Sequence, residues 1–289
     1  MKKIVLLLIA VTSLVFGAGF GTSSQESDVT LKNPFNGKDQ RFIIGTASES
    51  GTYHKAGTKM ERLLKGSYAA STDGSKQNLE LLAEGSINVA FVQGDVYNLW
   101  LSSNPSYTSK FTVLTTERKE HVQLIMREGS TEDDLQKKRS KVIVGLSKSG
   151  GAGSYANMQL LENNYVAEPV FEDVDQLALN ALLNKKVDGI IRTSNLQPGD
   201  PIVNKVLATK GVYFADVDDM DLNDSITLNG ETKPIYNFVK KDLEKGMFPK
   251  SVKTLETSVY VVINNDLTSR KQRTEIADVL ATYKESLFQ

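Results

Sequence analysis

RFIIGTASESGTYHKAGTKMERLL, from Arg41, and KVIVGLSKSGGAGSYANMQLL, from Lys141, stand one hundred residues apart and share a plan. Each opens on a short apolar run closing at glycine (Gly45, Gly145), passes through a Ser/Gly turn, and enters a helical pattern near Tyr53 or Tyr155. A short apolar run bounded by glycine reads as a buried strand, whereas Ala56, Met60, Leu63 and Leu64 fall on one face of a helix. Two strand-turn-helix units in equivalent places predict two α/β lobes of similar plan that face each other.

Working outward, Tyr68 starts a second unit that turns at Ser71 to Ser75 and continues as a helix carrying Leu79, Leu82 and Ala83, closed by Gly85. Asn88 to Gln93 reads as a strand, as do Phe111 to Thr115 and His121 to Arg127, the last placed to cross between lobes. The polar stretch after Gly129 predicts a short helix capped by Ser130 with Asp133 three residues on. Further strands are expected at Val170 to Val174, Val187 to Arg192 and Val212 to Val217. Thr257 to Ile263 returns the chain to the first lobe, and Ser269 to Leu287 forms a last helix with Ile276, Val279, Leu280 and Tyr283 inward. Strand and helix alternate throughout, which predicts an α/β fold. The first lobe is assigned residues 41–127 and 235–289, the second 128–234.

The 289 residues, 40% hydrophobic and 24% charged, suffice for a substantial core. Lysine and arginine number 34 against 35 acids, which lacks the basic excess a nucleic-acid binder needs. Cysteine is absent, excluding disulfides, thiolate metal sites and a thiol nucleophile; His54 and His121 are the only histidines. Lys2 and Lys3 precede an apolar run from Ile4 to Phe20 ending in small residues, the grammar of a signal peptide over residues 1–21. A polar linker over 22–40 follows. The body is therefore expected in the periplasm.

A helix that begins after a strand offers unpaired N–H groups and the positive end of its dipole to an anion. Neither Ser/Gly turn carries the Gly-Lys-Ser/Thr of a phosphate loop, and Gly45 and Gly51 leave the dinucleotide fingerprint incomplete. Glu49, Asp73 and Asp95 lie at strand-to-helix turns, where a zwitterion would satisfy both acid and N–H groups. Lys148, Arg127 and Arg192 are candidate partners for a second carboxylate, with arginine suited to a bidentate grip. Tyr53, Tyr155 and Trp100 are candidates to roof a small ligand. No Gly-x-Ser-x-Gly elbow is present and no serine has an evident base, so no enzymatic activity, cofactor or metal is expected.

Three segments carry a family resemblance: IGTASESGTYHKAGTKMERLL from Ile44, STDGSKQNLELLAEGSINVAFVQGDV from Ser71, and KVIVGLSKSGGAGSYANMQLLE from Lys141. Together they resemble the TAXI-type solute-binding proteins of tripartite ATP-independent periplasmic (TRAP) transporters. The resemblance implies a type II periplasmic-binding fold, two α/β lobes joined by a hinge with the ligand cleft between them. It also implies capture of a small carboxylate, an amino acid such as glutamate or glutamine or a dicarboxylate, for membrane permease subunits. By motif position Thr46, Ala47, Ser48, Gly51, Thr52 and Tyr53 would line the first lobe, beside Ser75, Gln93 and Asp95. Ser147, Ser149, Gly150 and Ser154 would answer from the second. The chain departs from the pattern at Glu49, in a turn usually uncharged, and at His54, where a second tyrosine is common. A periplasmic sensing domain is the alternative reading.

Overall fold

A computed structural model describes residues 41–223, 225–228 and 231–289. The expected signal peptide and linker lie outside the described residues. Buried strand β1 (Phe42–Gly45) leads through the first Ser/Gly turn into α1 (Thr52–Leu63), which buries Ala56 and Met60 but leaves Leu63 partly in water. There follow β2 (Ser67–Ala70), α2 (Ser75–Glu84), β3 (Val89–Gln93) and α3 (Gly94–Ser103). Gly85 ends α2 in the left-handed conformation at φ 80°, as its position predicted.

Phe111 to Thr115 and His121 to Arg127 belong to one strand, β4 (Phe111–Arg127), whose polar middle, Thr116 to Glu120, carries the chain between lobes. The second lobe adds β5 (Lys141–Ile143), α4 (Gly150–Leu161), β6 (Glu168–Val170), α5 (Gln176–Leu183), β7 (Gly189–Ser194), α6 (Pro201–Ala208) and β8 (Val212–Ala215). A hairpin of β9 (Ser225–Leu228) and β10 (Glu231–Pro234) precedes β11 (Asn237–Asp242) and β12 (Ser251–Asn264), and α7 (Arg270–Tyr283) closes the chain. The short helix expected from a Ser130 cap is instead a 3-10 turn over Glu132–Gln136, because Thr131 and Asp134 form the reciprocal cap one residue later.

The main sheet runs β2-β1-β3-β12-β4-β7-β5-β6, with β11 on β12 and β8 on β4. Within each lobe the core strands are parallel: β2 and β3 flank β1, and β6 and β7 flank β5. Antiparallel β4 and β12 run through both lobes and pair along their length, with a bulge between Ser258 and Tyr260. These two strands are the hinge. Residues 235–255 pack with the second lobe: Ile235, Tyr236 and Leu255 join Val122, Val142 and Met158, while Leu243 and Val252 join Ile143 and Leu182. The return crossing thus falls near Glu256 rather than at 235. The first lobe has a separate core of Phe42, Ile44, Met60 and Phe91, closed by Val261, Ile276 and Leu280.

Candidate functional site

Parallel strands with helices at their carboxyl ends leave a crevice where helix N-termini gather. That is where a cavity of about 740 Å³ lies between the lobes. The first lobe lines it with Ala47, Ser48, Thr52 and Tyr53 at the start of α1 and with Ser71 to Ser75 at the start of α2; Gln93 and Glu120 form part of its floor. From the second lobe come Gly145, Ser149, Gly150 and Gly151 at the start of α4, together with Arg192, Thr193 and Ser194 at the end of β7.

The helices opening here are not capped alike. Neither α1 (N-cap Gly51) nor α2 (N-cap Gly74) has a side-chain cap, so their first N–H groups are free of a protein side-chain acceptor. By contrast, Ser149 Oγ accepts from Ala152 N at 3.3 Å and donates to Val144 O at 3.1 Å. Asp175 and Asp200 cap α5 and α6. Arg192 is already engaged, meeting Asp200 at 3.1 Å and Gln123 Oε1 at 3.0 Å, which fixes its guanidinium along one wall.

Of the expected site residues, Ala47, Ser48, Thr52, Tyr53, Ser75, Gln93, Ser149, Gly150 and Arg192 border this cavity. Five do not. Fully buried Thr46 donates to Ala70 O at 2.7 Å, holding β1 to β2 behind the turn. Gly51 sits beneath the turn, where a Cβ would come within 2.9 Å of Ser48 O. Ser147 lies on another recess, described below.

Asp95 and Ser154, also fully buried, meet each other rather than the cavity. Ser154 Oγ donates to Asp95 Oδ2 at 2.6 Å and accepts from Gln93 Nε2 and Thr193 Oγ1, each at 2.9 Å. Tyr236 OH donates to the same Asp95 oxygen at 2.7 Å, and Asp95 N donates to Thr257 Oγ1 on the hinge at 3.0 Å. Burial pushes the Asp95 carboxyl above its usual range, against the pull of these hydrogen bonds. The sequence signal, an acid at a strand-to-helix turn, was sound as to place. It could not show that the side chain turns inward to tie lobe to lobe.

Among the cavity residues that the sequence did not single out, such as Thr193, Ser194 and Asp175, Glu120 matters most for the geometry. It lies in the polar middle of β4, which resembles a loop. Its Oε2 accepts from Tyr53 OH at 2.9 Å and its Oε1 from Arg118 Nε at 3.2 Å. Burial raises its pKa, Arg118 opposes that, and burial beside Glu120 holds Tyr53 far from ionisation. A hinge carboxylate therefore orients an aromatic wall of the cleft. His121, next along, is buried and accepts from Leu196 N at 3.1 Å; burial pulls its pKa down to about 4. Arg127 caps carbonyls of Leu182 and Val187 away from the cleft, and Lys148 pairs with Glu80 across the lobes at 3.5 Å.

A second interlobe recess, about 900 Å³, opens on the other flank of the α3–α4 contact. Trp100, Tyr155 and Phe171 border it together with Ser147. The start of α4 reaches it at Ser149 and Ala152, and the rest of its helical wall is the flanks of α2, α3 and α4. Tyr155 spends its hydroxyl on Ala167 O at 2.9 Å, and Trp100 packs on Tyr107 and Phe111.

Two α/β lobes strung on a pair of crossing strands, with helix starts converging on the crevice between them, define a bilobal α/β fold with an interlobe cleft. Residues 44–272 match the NMT1-like family, and the chain belongs to that family. No curated protein matches it. Among solved structures it is similar to the periplasmic aliphatic sulphonate binding protein SsuA from Escherichia coli (17% identity, 86% of this chain and 72% of that one, TM-score 0.49). It is also similar to a putative L-cystine ABC transporter protein from Listeria monocytogenes (15%, 84% and 90%, 0.48). A third is the GluR0 ligand-binding core from Nostoc punctiforme in complex with L-glutamate (14%, 86% and 95%, 0.46).

Proposed function

We propose that this chain is a periplasmic solute-binding receptor of the TAXI type, capturing a small carboxylate such as an amino acid for the permease of a TRAP transporter. The observation that carries the reading is the meeting of uncapped helix starts from one lobe with the Gly-rich start of α4 from the other around one cavity. Free N–H groups at the positive ends of helices favour a carboxylate. Asp73, Glu120, Asp173 and Asp175 border the same space, so an ammonium group on the solute would also find partners. Lobe closure expels water and strengthens each of these contacts. Micromolar affinity needs about 8 kcal/mol, within reach of several charge-assisted hydrogen bonds.

A thermal-shift screen of amino acids, dicarboxylates and inorganic phosphate tests this, because a ligand that binds only the folded state raises its melting temperature. Amino acids or dicarboxylates should raise it, and Tyr53→Ala should remove the shift while the chain stays folded. A shift with phosphate alone, or one that Tyr53→Ala leaves intact, would contradict the assignment.

A further inference from the structure

The two most exposed large apolar side chains among the described residues are sequence neighbours: Met247 is 87% exposed and Phe248 91%. They sit at the tip of the β11–β12 hairpin, whose neck is firmly held. Leu243 and Val252 are buried in the second lobe's core, Leu243 N donates to Lys250 O at 2.8 Å, and Lys250 N donates to Glu244 Oε1 at 3.2 Å. Gly246, at φ 154°, turns the chain there. The apolar pair is therefore presented to solvent by an anchored hairpin.

The charge around the tip selects its partner. Lys240 to Lys253 holds five lysines against Asp242 and Glu244, in a chain whose net charge is −1. Lys253 pairs with Asp218 at 2.6 Å, but Lys240, Lys241, Lys245 and Lys250 form no ion pair among the described residues. An apolar pair flanked in sequence by lysines without an ion pair among the described residues matches the boundary of an anionic bilayer: aliphatic and aromatic side chains enter the acyl edge while ammonium groups stay among phosphates. An apolar protein groove would reward the Met-Phe pair but gives no reason for the flanking lysines.

We propose that this hairpin tip docks the receptor on an anionic membrane surface, with Met247 and Phe248 inserted and Lys240, Lys245 and Lys250 at the headgroups. The proposal stands independently of the cleft and of what it binds. Flotation of the full chain with phosphatidylcholine vesicles, with and without phosphatidylglycerol, tests it. The apolar run of residues 4–20 is the same in every variant, so differences between variants report the tip. The M247S/F248S double variant should bind the anionic vesicles at least about tenfold less than the parent, given what burial of such side chains contributes. Lys245→Glu with Lys250→Glu should lose a similar factor, and added salt should weaken the parent. In a second measurement, Phe248→Trp should shift its emission to the blue on addition of anionic vesicles. Equal flotation of parent and M247S/F248S would overturn the proposal. So would an emission shift that follows protein concentration rather than lipid, which would mark the tip as a contact between copies of this chain.

Discussion

The turns after β1 and β5 look like duplicates in sequence and border one cavity, yet they are held differently in the fold. The first leaves α1 without a side-chain cap and points Ser48, Thr52 and Tyr53 at the cavity. In the second, Ser149 caps its own helix, Gly150 is so close to Gln93 that a Cβ would lie 2.0 Å from Oε1, and a Cβ on Gly153 would lie 2.3 Å from Val96 Cγ2. Tyr53 reaches across to the hinge carboxylate Glu120, whereas Tyr155 hydrogen-bonds within its own lobe. Shared pattern thus predicts shared backbone but not shared contacts: both turns border the cavity, yet the second also packs its helix start against the other lobe at Gln93 and Val96.

The largest test of this asymmetry contrasts two buried acids. Glu120 has Arg118 at 3.2 Å, whereas among the described residues Glu132 has only Tyr165 OH and Asp218 N as donors, and burial drives its pKa up to about 7. A carboxyl raised on folding stabilises below its unfolded value of 4.5 and loses that contribution as pH climbs through about 7. Urea unfolding should show about 3 kcal/mol more pH dependence over that interval in the parent than in Glu132→Gln. Equal slopes would show that the second lobe buries its acid without cost.

Next in size is Gly153→Val, which should destabilise by about 2 kcal/mol through overpacking against Val96, and should enlarge the radius of gyration in solution scattering as the lobes part. An unchanged radius and stability would mean that α3 and α4 do not touch in solution. Tyr155→Phe, removing a buried hydrogen bond, should cost about 1 kcal/mol with solute affinity unaltered; Tyr53→Phe should cost a comparable amount and also lower affinity. Smallest is the serine pair. Ser149→Ala should cost about 1 kcal/mol as a lost cap, while Ser48→Ala, at an exposed turn position that caps nothing, should stay within about 0.5 kcal/mol.

Much of the architecture was legible because apolar runs closed by glycine and helices with one apolar face report burial directly: β1, α1, β3 and the Gly85 cap stand where the pattern put them. The hinge was not, since a strand whose middle reads TTERKE shows no alternation when its polar side chains face a cleft and its neighbours change from one lobe to the other. Residues 235–255 were assigned to the wrong side because Ile235, Leu243 and Val252 announce burial without saying in which core. At the site, sequence located the turns but not the direction of individual side chains. Asp95 and Ser154 stand beside cavity-lining residues in sequence yet turn inward, and Glu120 enters the floor from the polar stretch between two expected strands.

Hydrogen exchange tests the central claim most directly, comparing the free chain with the chain saturated by whichever amino acid or dicarboxylate gives the greatest thermal shift. Slowed exchange should appear together at residues 48–54 and 145–151, the starts of α1 and α4. Slowing confined to the flank of Trp100 and Phe171, with both turns unchanged, would contradict it.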